Sequence, residues 1–169
     1  MVIIRPERPA DIEAIRQVNL LAFGQPAEAA LVDALRQAGD VTLSLVADED
    51  GVVIGHILFS RLRIHTDAGG VVDAVALAPM SVRPDRQRRG IGSALVAEAL
   101  RECRERGERI AIVVGHTRFY PRFGFSHDAA APLRSAFQCD AFMAVGLRPG
   151  ALKGVAGTVE YSVCFGSLE

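Results

Sequence analysis

The stretch Arg83-Pro-Asp-Arg-Gln-Arg-Arg-Gly-Ile-Gly92 sets four guanidinium groups, a glutamine and two glycines immediately before an amphipathic segment that begins at Ile91. The first N–H groups of a helix have no intrahelical acceptor and sit at the positive end of its dipole, so a helix start of this kind binds anions. Gly90 and Gly92 let a phosphate approach the main chain closely. Arg83, Arg86, Arg88 and Arg89 add charge beside it in the forked geometry that suits phosphate oxygens. Two nucleotide signatures fail here. A P-loop requires Gly-Lys-Ser/Thr, whereas Gly92 is followed by Ser93-Ala94; a dinucleotide fingerprint requires a third glycine where Leu95 stands. A solvated loop is the plain alternative, and a nucleic-acid patch a third, but no aromatic residues are interleaved with these arginines.

A second cluster, Phe119-Tyr-Pro-Arg-Phe-Gly-Phe125, carries the phenol of Tyr120 between apolar rings. On its own this reads first as a packing residue between Phe119 and Phe123, and second as a buried proton donor. His116 follows an apolar run, Ile110 to Gly115, and is able to take a proton near neutral pH or to hold a structural hydrogen bond. His56, beside Gly55, reads as a packed strand residue; His65 and His127 fall in loops. The three cysteines, Cys103, Cys139 and Cys164, form no CxxC pair, which argues against a zinc site and a disulfide framework and for a reducing compartment, with no metal expected.

The elements around these clusters follow from periodicity. Val2 to Ile4 reads as a strand, and helices are expected from Pro9-Ala-Asp11 to about Phe23 and from Ala27 to Gln37, the second ended by Gly39. Val41 to Leu45 and Val52 to Ser60 alternate about a turn at Asp48 to Gly51, the pattern of an antiparallel hairpin. Val71 to Val82 is a long strand in which Pro79 cannot donate to the ladder, so a break or bulge is expected there. Ile91 to Arg106 is a helix with Ile91, Leu95, Ala99 and Cys103 on one face. Arg109 to Val114, Ala141 to Leu147 and Thr158 to Phe165 complete the strands.

At 169 residues, with half of them apolar, the chain fits one folded domain, residues 1–169. Nineteen basic residues against twenty acidic ones leave a charge of -1, so no global field draws in nucleic acid or anionic membrane. No stretch reaches the ~20 apolar residues of a membrane span and no targeting segment is evident, which makes the cytoplasm the expected location. Lys153 is the only lysine among many arginines, a composition suggestive of a GC-rich bacterial genome.

The pattern Gln/Arg-x-x-Gly-x-Gly/Ala, met by Gln87-Arg-Arg-Gly90-Ile-Gly92, together with Tyr-x-x-x-Gly-Phe from Tyr120 to Phe125, resembles the GNAT superfamily of N-acetyltransferases. That resemblance spans residues 1–126. The tail from Phe142 through Tyr161 resembles the YhbS-like branch and extends it to the end. The resemblance implies a mixed, mostly antiparallel α/β (α+β) sheet flanked by helices, with splayed central strands. It implies acetyl-CoA as cosubstrate, with the pyrophosphate on the backbone from Gln87 to Ser93 and the pantetheine arm along Met80, Ser81 and Val82. Arg83, Arg88, Arg89, Gly115, His116, Phe119, Tyr120 and Phe123 complete the implied cofactor set. Tyr120 is implied as general acid or thiolate stabiliser, and the Val82 N–H as the contact to the thioester oxygen. Glu28 and His116 are the candidates for the base; for Glu28 the plainer reading, an exposed helical glutamate, is the favoured one, and for His116 a structural hydrogen bond stands level with it. The implied acceptor is a primary amine of a small molecule or peptide, and His127 to Asp140 is the expected roof of its pocket. Self-association as a homodimer through the carboxy-terminal strands is compatible with the superfamily. The competing function is a non-catalytic acyl-CoA sensor, against which the retained Tyr120 argues, because binding alone needs no donor at sulfur.

Overall fold

The computed structural model describes residues 1–168. The chain opens with strand β1 (Val2–Pro6), followed by helices α1 (Ile12–Phe23) and α2 (Ala27–Ala38). The joint between the helices is short because Gly24 takes up the left-handed conformation that stops α1, at φ 67°. Strands β2 (Val41–Glu49), β3 (Val52–Thr66) and β4 (Val71–Val82) then run as an antiparallel meander, and α3 (Ile91–Glu105) leads to β5 (Ile110–Val114). A short helix α4 (His127–Ala130), β6 (Leu133–Arg134), β7 (Phe142–Gly146) and β8 (Gly157–Glu160) complete the fold. The sheet is mixed, eight strands in all, with the order β1-β2-β3-β4-β5-β7 and with β8 bridging β3 and β6.

Both faces of this sheet are covered, which is why its central strands are apolar on both sides rather than alternating. On one face α3 sets Ile91, Leu95, Ala99 and Cys103 against Leu45, Ile57, Phe59 and Leu77. On the other, α1 and α2 set Ile15, Val18, Leu31 and Leu35 against Val46, Leu58 and Leu62. No helix is long and apolar enough to cross a membrane among the described residues.

The parallel contact between β4 and β5 positions the site. It holds only from Val75 to Leu77, opposite Ala111 to Val113. Beyond it the register of β4 against β3 slips by one residue, between the pairs Phe59↔Leu77 and Ile57↔Met80, so Ala78 and Pro79 bulge as the proline requires. The two strands part there and leave a wedge-shaped opening.

The expected strand from Thr158 to Phe165 is cut short. β8 ends at Glu160, because the edge of β3 it pairs with is already taken by β2 at Ser60 and by the Arg61 N–H bond to the Asp40 carbonyl. Val163–Leu168 forms a 3₁₀ turn, with Val163 90% exposed despite the alternating pattern. Tyr161 and Phe165 meet the ring of Phe137 instead, at centroid distances of 5.0 and 6.4 Å.

Candidate active site

Two adjoining cavities occupy the opening between β4 and β5. The one at the start of α3, about 610 Å³, is lined by Arg86, Gln87, Arg88, Gly90, Ile91, Gly92 and Ser93, with Met80, His116, Phe119 and Arg122 opposite. Gly90 caps α3 in the left-handed conformation, at φ 81°, and no side chain caps the helix, so its first amides are open. Arg88 is also left-handed, at φ 64°, an uncommon state for a residue with a Cβ. Successive turns of this kind point backbone N–H groups into a common concavity that suits an anion. At Gly90 an added Cβ would meet nothing within 4 Å, whereas at Gly92 it would fall in ordinary contact with Met80 at 3.5 Å and with the Phe119 ring at 3.7 Å.

The arginines divide. Arg88 and Arg89 are exposed and have no ion-pair partner among the described residues, whereas Arg86 is bound to Glu49 at 3.0 Å and to Asp85. Arg83 is turned onto Asp85 at 2.9 Å and lines neither cavity. Of the expected cofactor residues, Arg83, Arg89 and Phe123 are therefore not brought to the cavity walls. Phe123 packs behind Phe119, 5.2 Å between ring centroids. Arg122, inside the tyrosine motif but not expected as a site residue, reaches the cavity; its guanidinium donates to Ser93 Oγ at 3.1 Å and lies over the Phe119 ring. A cation three residues from a motif aromatic was the available signal.

The second cavity, about 560 Å³, continues along β4 through Val82, Ser81, Met80, Pro79, Ala78 and Leu77 to Val114, Gly115, His116 and Tyr120. The phase of the β3–β4 ladder decides which main-chain groups face it. Arg83 N–H donates to the Ile54 carbonyl at 2.8 Å, and hydrogen-bonded pairs alternate along an antiparallel ladder. Ser81 therefore bonds across to His56, while Met80 and Val82 turn their N–H and C=O away from β3 toward the opening. The Val82 carbonyl is taken by the Gln87 side-chain amide at 3.0 Å, which leaves the Val82 N–H outward.

Tyr120 is 6% exposed and starts a 3₁₀ turn, Tyr120–Phe123. One edge of its ring abuts Gly115, where a Cβ would fall 2.3 Å from Cε2, so only glycine leaves the phenol in place. Phe119 and Phe125 hold it edge-on at 5.0 and 5.8 Å. Burial pushes its phenol up to about 12, and its hydroxyl makes no hydrogen bond to another described residue. The group stays protonated across the physiological range and is a hydrogen-bond donor facing a cavity.

The other side of this cavity is bordered by Ala22, Phe23, Glu28 and Leu31 of the α1–α2 hairpin, none but Glu28 expected from sequence. The glutamate takes two hydrogen bonds from Gln25, and His116 is exposed at the junction of both cavities, so the two base candidates border the same space. Ser81 Oγ, also on this wall, is buried without a hydrogen-bond partner. Beside it, His56 is fully buried and bonded to Asn19 Nδ2 at 3.2 Å and to Ser44 Oγ at 2.9 Å. Burial, reinforced by Arg36, pushes His56 down to about 3, so it is a neutral structural residue as its sequence context suggested. The segment His127 to Asp140 does not roof this cavity; α4 and β6 tie it to β7 and β8, and it sends only Phe137 to an adjacent chamber.

Comparison with known proteins agrees with this geometry. Residues 3–127 match the model of the acetyltransferase (GNAT) domain. Over 163 residues the chain is 36% identical to the uncharacterized N-acetyltransferase YhbS of Escherichia coli K12, covering 95% of this chain and 96% of that one. The crystal structure of E. coli YhbS in complex with CoA superposes with a TM-score of 0.90 at 35% identity, covering 98% of this chain and 92% of that one. A GNAT family acetyltransferase from Brucella melitensis in complex with acetyl-CoA gives a TM-score of 0.82 at 38% identity over 98% of both chains.

Proposed function

The chain belongs to the GNAT acetyltransferase family, and from that membership we propose that it is a single-domain cytoplasmic enzyme that moves an acetyl group from acetyl-CoA to a primary amine of a small molecule or peptide by direct attack. The observation that carries this reading is the continuity of one cleft. It runs from the open amides at the start of α3, along the outward main chain of Met80 and Val82, to a buried phenol and then to an opening flanked by α1 and α2.

The residues fit an acetylated cofactor. The amides of Gly90 to Ser93, with Arg88 and Arg122, bind the pyrophosphate, and the open space at Gly90 admits it. Met80 and Val82 offer main-chain groups to the pantetheine arm, and the Val82 N–H donates to the thioester oxygen, where negative charge grows as the amine attacks. The amine nitrogen bonds to the carbonyl carbon and the carbon–sulfur bond breaks, its electron pair remaining on sulfur. A phenol at about 12 facing a thiol near 8.5 makes full proton donation uphill by about 5 kcal/mol. Tyr120 therefore stabilises the thiolate by a hydrogen bond rather than surrendering its proton. Glu28 and His116 border the side from which the amine arrives and are placed to take its proton directly or through water.

The test is free-thiol release from acetyl-CoA across a panel of amines, polyamines, aminoglycosides, amino acids and peptides, with mass spectrometry of each product. A product heavier by one acetyl group with stoichiometric thiol supports the reading. Saturable acetyl-CoA binding with no thiol release for any amine replaces the enzyme with an acyl-CoA sensor.

A further inference from the structure

Beside the point where β4 and β5 part, a smaller chamber of about 300 Å³ lies against the last paired residues of the two strands. It shares Leu77, Ala78 and Val114 with the acceptor cavity, so the two adjoin across those residues. Its remaining walls are Ala76, Ile112 and Val113 from the strands and the rings of Phe137, Tyr161 and Phe165. Every lining side chain is aliphatic or aromatic, and the one polar side-chain group, the Tyr161 hydroxyl, accepts a bond from Ser135 Oγ at 3.5 Å. Such a space takes an apolar group and rejects a charged one.

Its position selects which apolar group. The phosphate loop, the outward main chain of Val82 and Met80, and the mouth at Ala78 and Leu77 follow one another backwards along β4, so a chain threaded from the loop and held on that main chain points its far end toward the chamber. The α1–α2 residues that flank the amine entrance do not line it. An amine coming in between those helices points its tail back outward. The chamber therefore continues the thioester, not the acceptor.

We propose that this chamber is an acyl-chain subsite, and that the enzyme uses CoA thioesters of aliphatic acids longer than acetic acid, an inference that rests on the acyltransferase reading above. The bonds made and broken are those of acetyl transfer: nitrogen to carbonyl carbon, carbon from sulfur, with the amine proton passing to base or solvent. Each methylene taken from water into the chamber strengthens binding roughly fourfold, the equivalent of ~0.8 kcal/mol.

Because the amine is unidentified, the test uses binding first. Dissociation constants of CoA, acetyl-CoA, butyryl-CoA and hexanoyl-CoA are measured by calorimetry on the full chain and on two variants. Ala76→Leu fills the chamber from its strand side. Phe137→Ala removes an outer wall and keeps the experiment available if the first variant does not fold. Hexanoyl-CoA binding at least tenfold tighter than acetyl-CoA, with that ratio falling at least fivefold in the variants, is the expected result. Equal or weaker binding of the longer chains beside intact acetyl-CoA binding overturns the subsite and spares the acetyltransferase. Failure of every CoA compound to bind overturns the cofactor reading and the subsite with it. With acetyl-CoA fixed, a rate preference for hexylamine over ethylamine that the same variants abolish assigns the chamber to the acceptor and likewise overturns the proposal.

Discussion

Acidification to pH 5 removes about 2 kcal/mol of folding stability through a single side chain, His56. The imidazole is fully buried between Asn19 and Ser44, and its folded value is depressed to about 3 from an ordinary 6.5. The unfolded chain therefore binds a proton that the folded chain refuses. With that sign, the contribution is fully present above pH 6.5 and is lost as the pH falls toward 3, at ~1.4 kcal/mol per pH unit. At pH 5 the loss is about 2 kcal/mol and it tends to about 5 kcal/mol near pH 3, against a total stability of ~5–15 kcal/mol. The assay is urea unfolding at intervals from pH 8 to 5, on the protein and on His56→Gln, whose amide is able to accept from Asn19 and donate to Ser44 without titrating. Staying above pH 5 keeps Asp11 and Asp48 out of the measurement, since the hydrogen bonds from Arg5 hold both carboxyls below their ordinary values. The difference between the two proteins should shrink by about 2 kcal/mol from pH 8 to 5. A difference independent of pH over that range refutes the reasoning.

Tyr120→Phe should bind acetyl-CoA as the parent does while thiol release falls at least ~10-fold, as removal of a donor at a developing charge requires, measured by a chromogenic thiol assay. Up to pH 10 the parent's rate profile should show no limb from Tyr120, whose phenol lies at about 12. Gly92→Ala places its Cβ in ordinary contact, 3.5 Å from Met80, so its stability should stay within ~0.5 kcal/mol of the parent while calorimetry records weaker CoA binding. Gly115→Ala drives a methyl to 2.3 Å from the Tyr120 ring; it should cost ~1–3 kcal/mol in urea unfolding and reduce turnover together.

Much of this was legible in the sequence because it was local. The glycine-rich start of α3, the helix stop at Gly39 and the Pro79 bulge each follow from a residue whose backbone options are few. What escaped was set by distant competition. Val159 and Tyr161 alternate as a strand should, yet the chain leaves the sheet after Glu160 because β2 already holds that edge of β3. The four arginines of the loop looked equivalent, and only the presence of Glu49 and Asp85 in space separates those tied to carboxylates from those left open. The α1–α2 border was invisible for a similar reason: Ala22, Phe23 and Leu31 are ordinary helix residues until packing sets them over β4.

The outward amides of Met80 and Val82 carry a further consequence. A recognition surface made of peptide nitrogens is recorded in the path of the chain, not in its letters, so most replacements at those two positions leave the donors where they are. An imino acid is the exception, since it deletes the hydrogen itself. Selection can thus redecorate the walls of this groove freely, while the row of outward peptide groups passes unaltered from one descendant to the next.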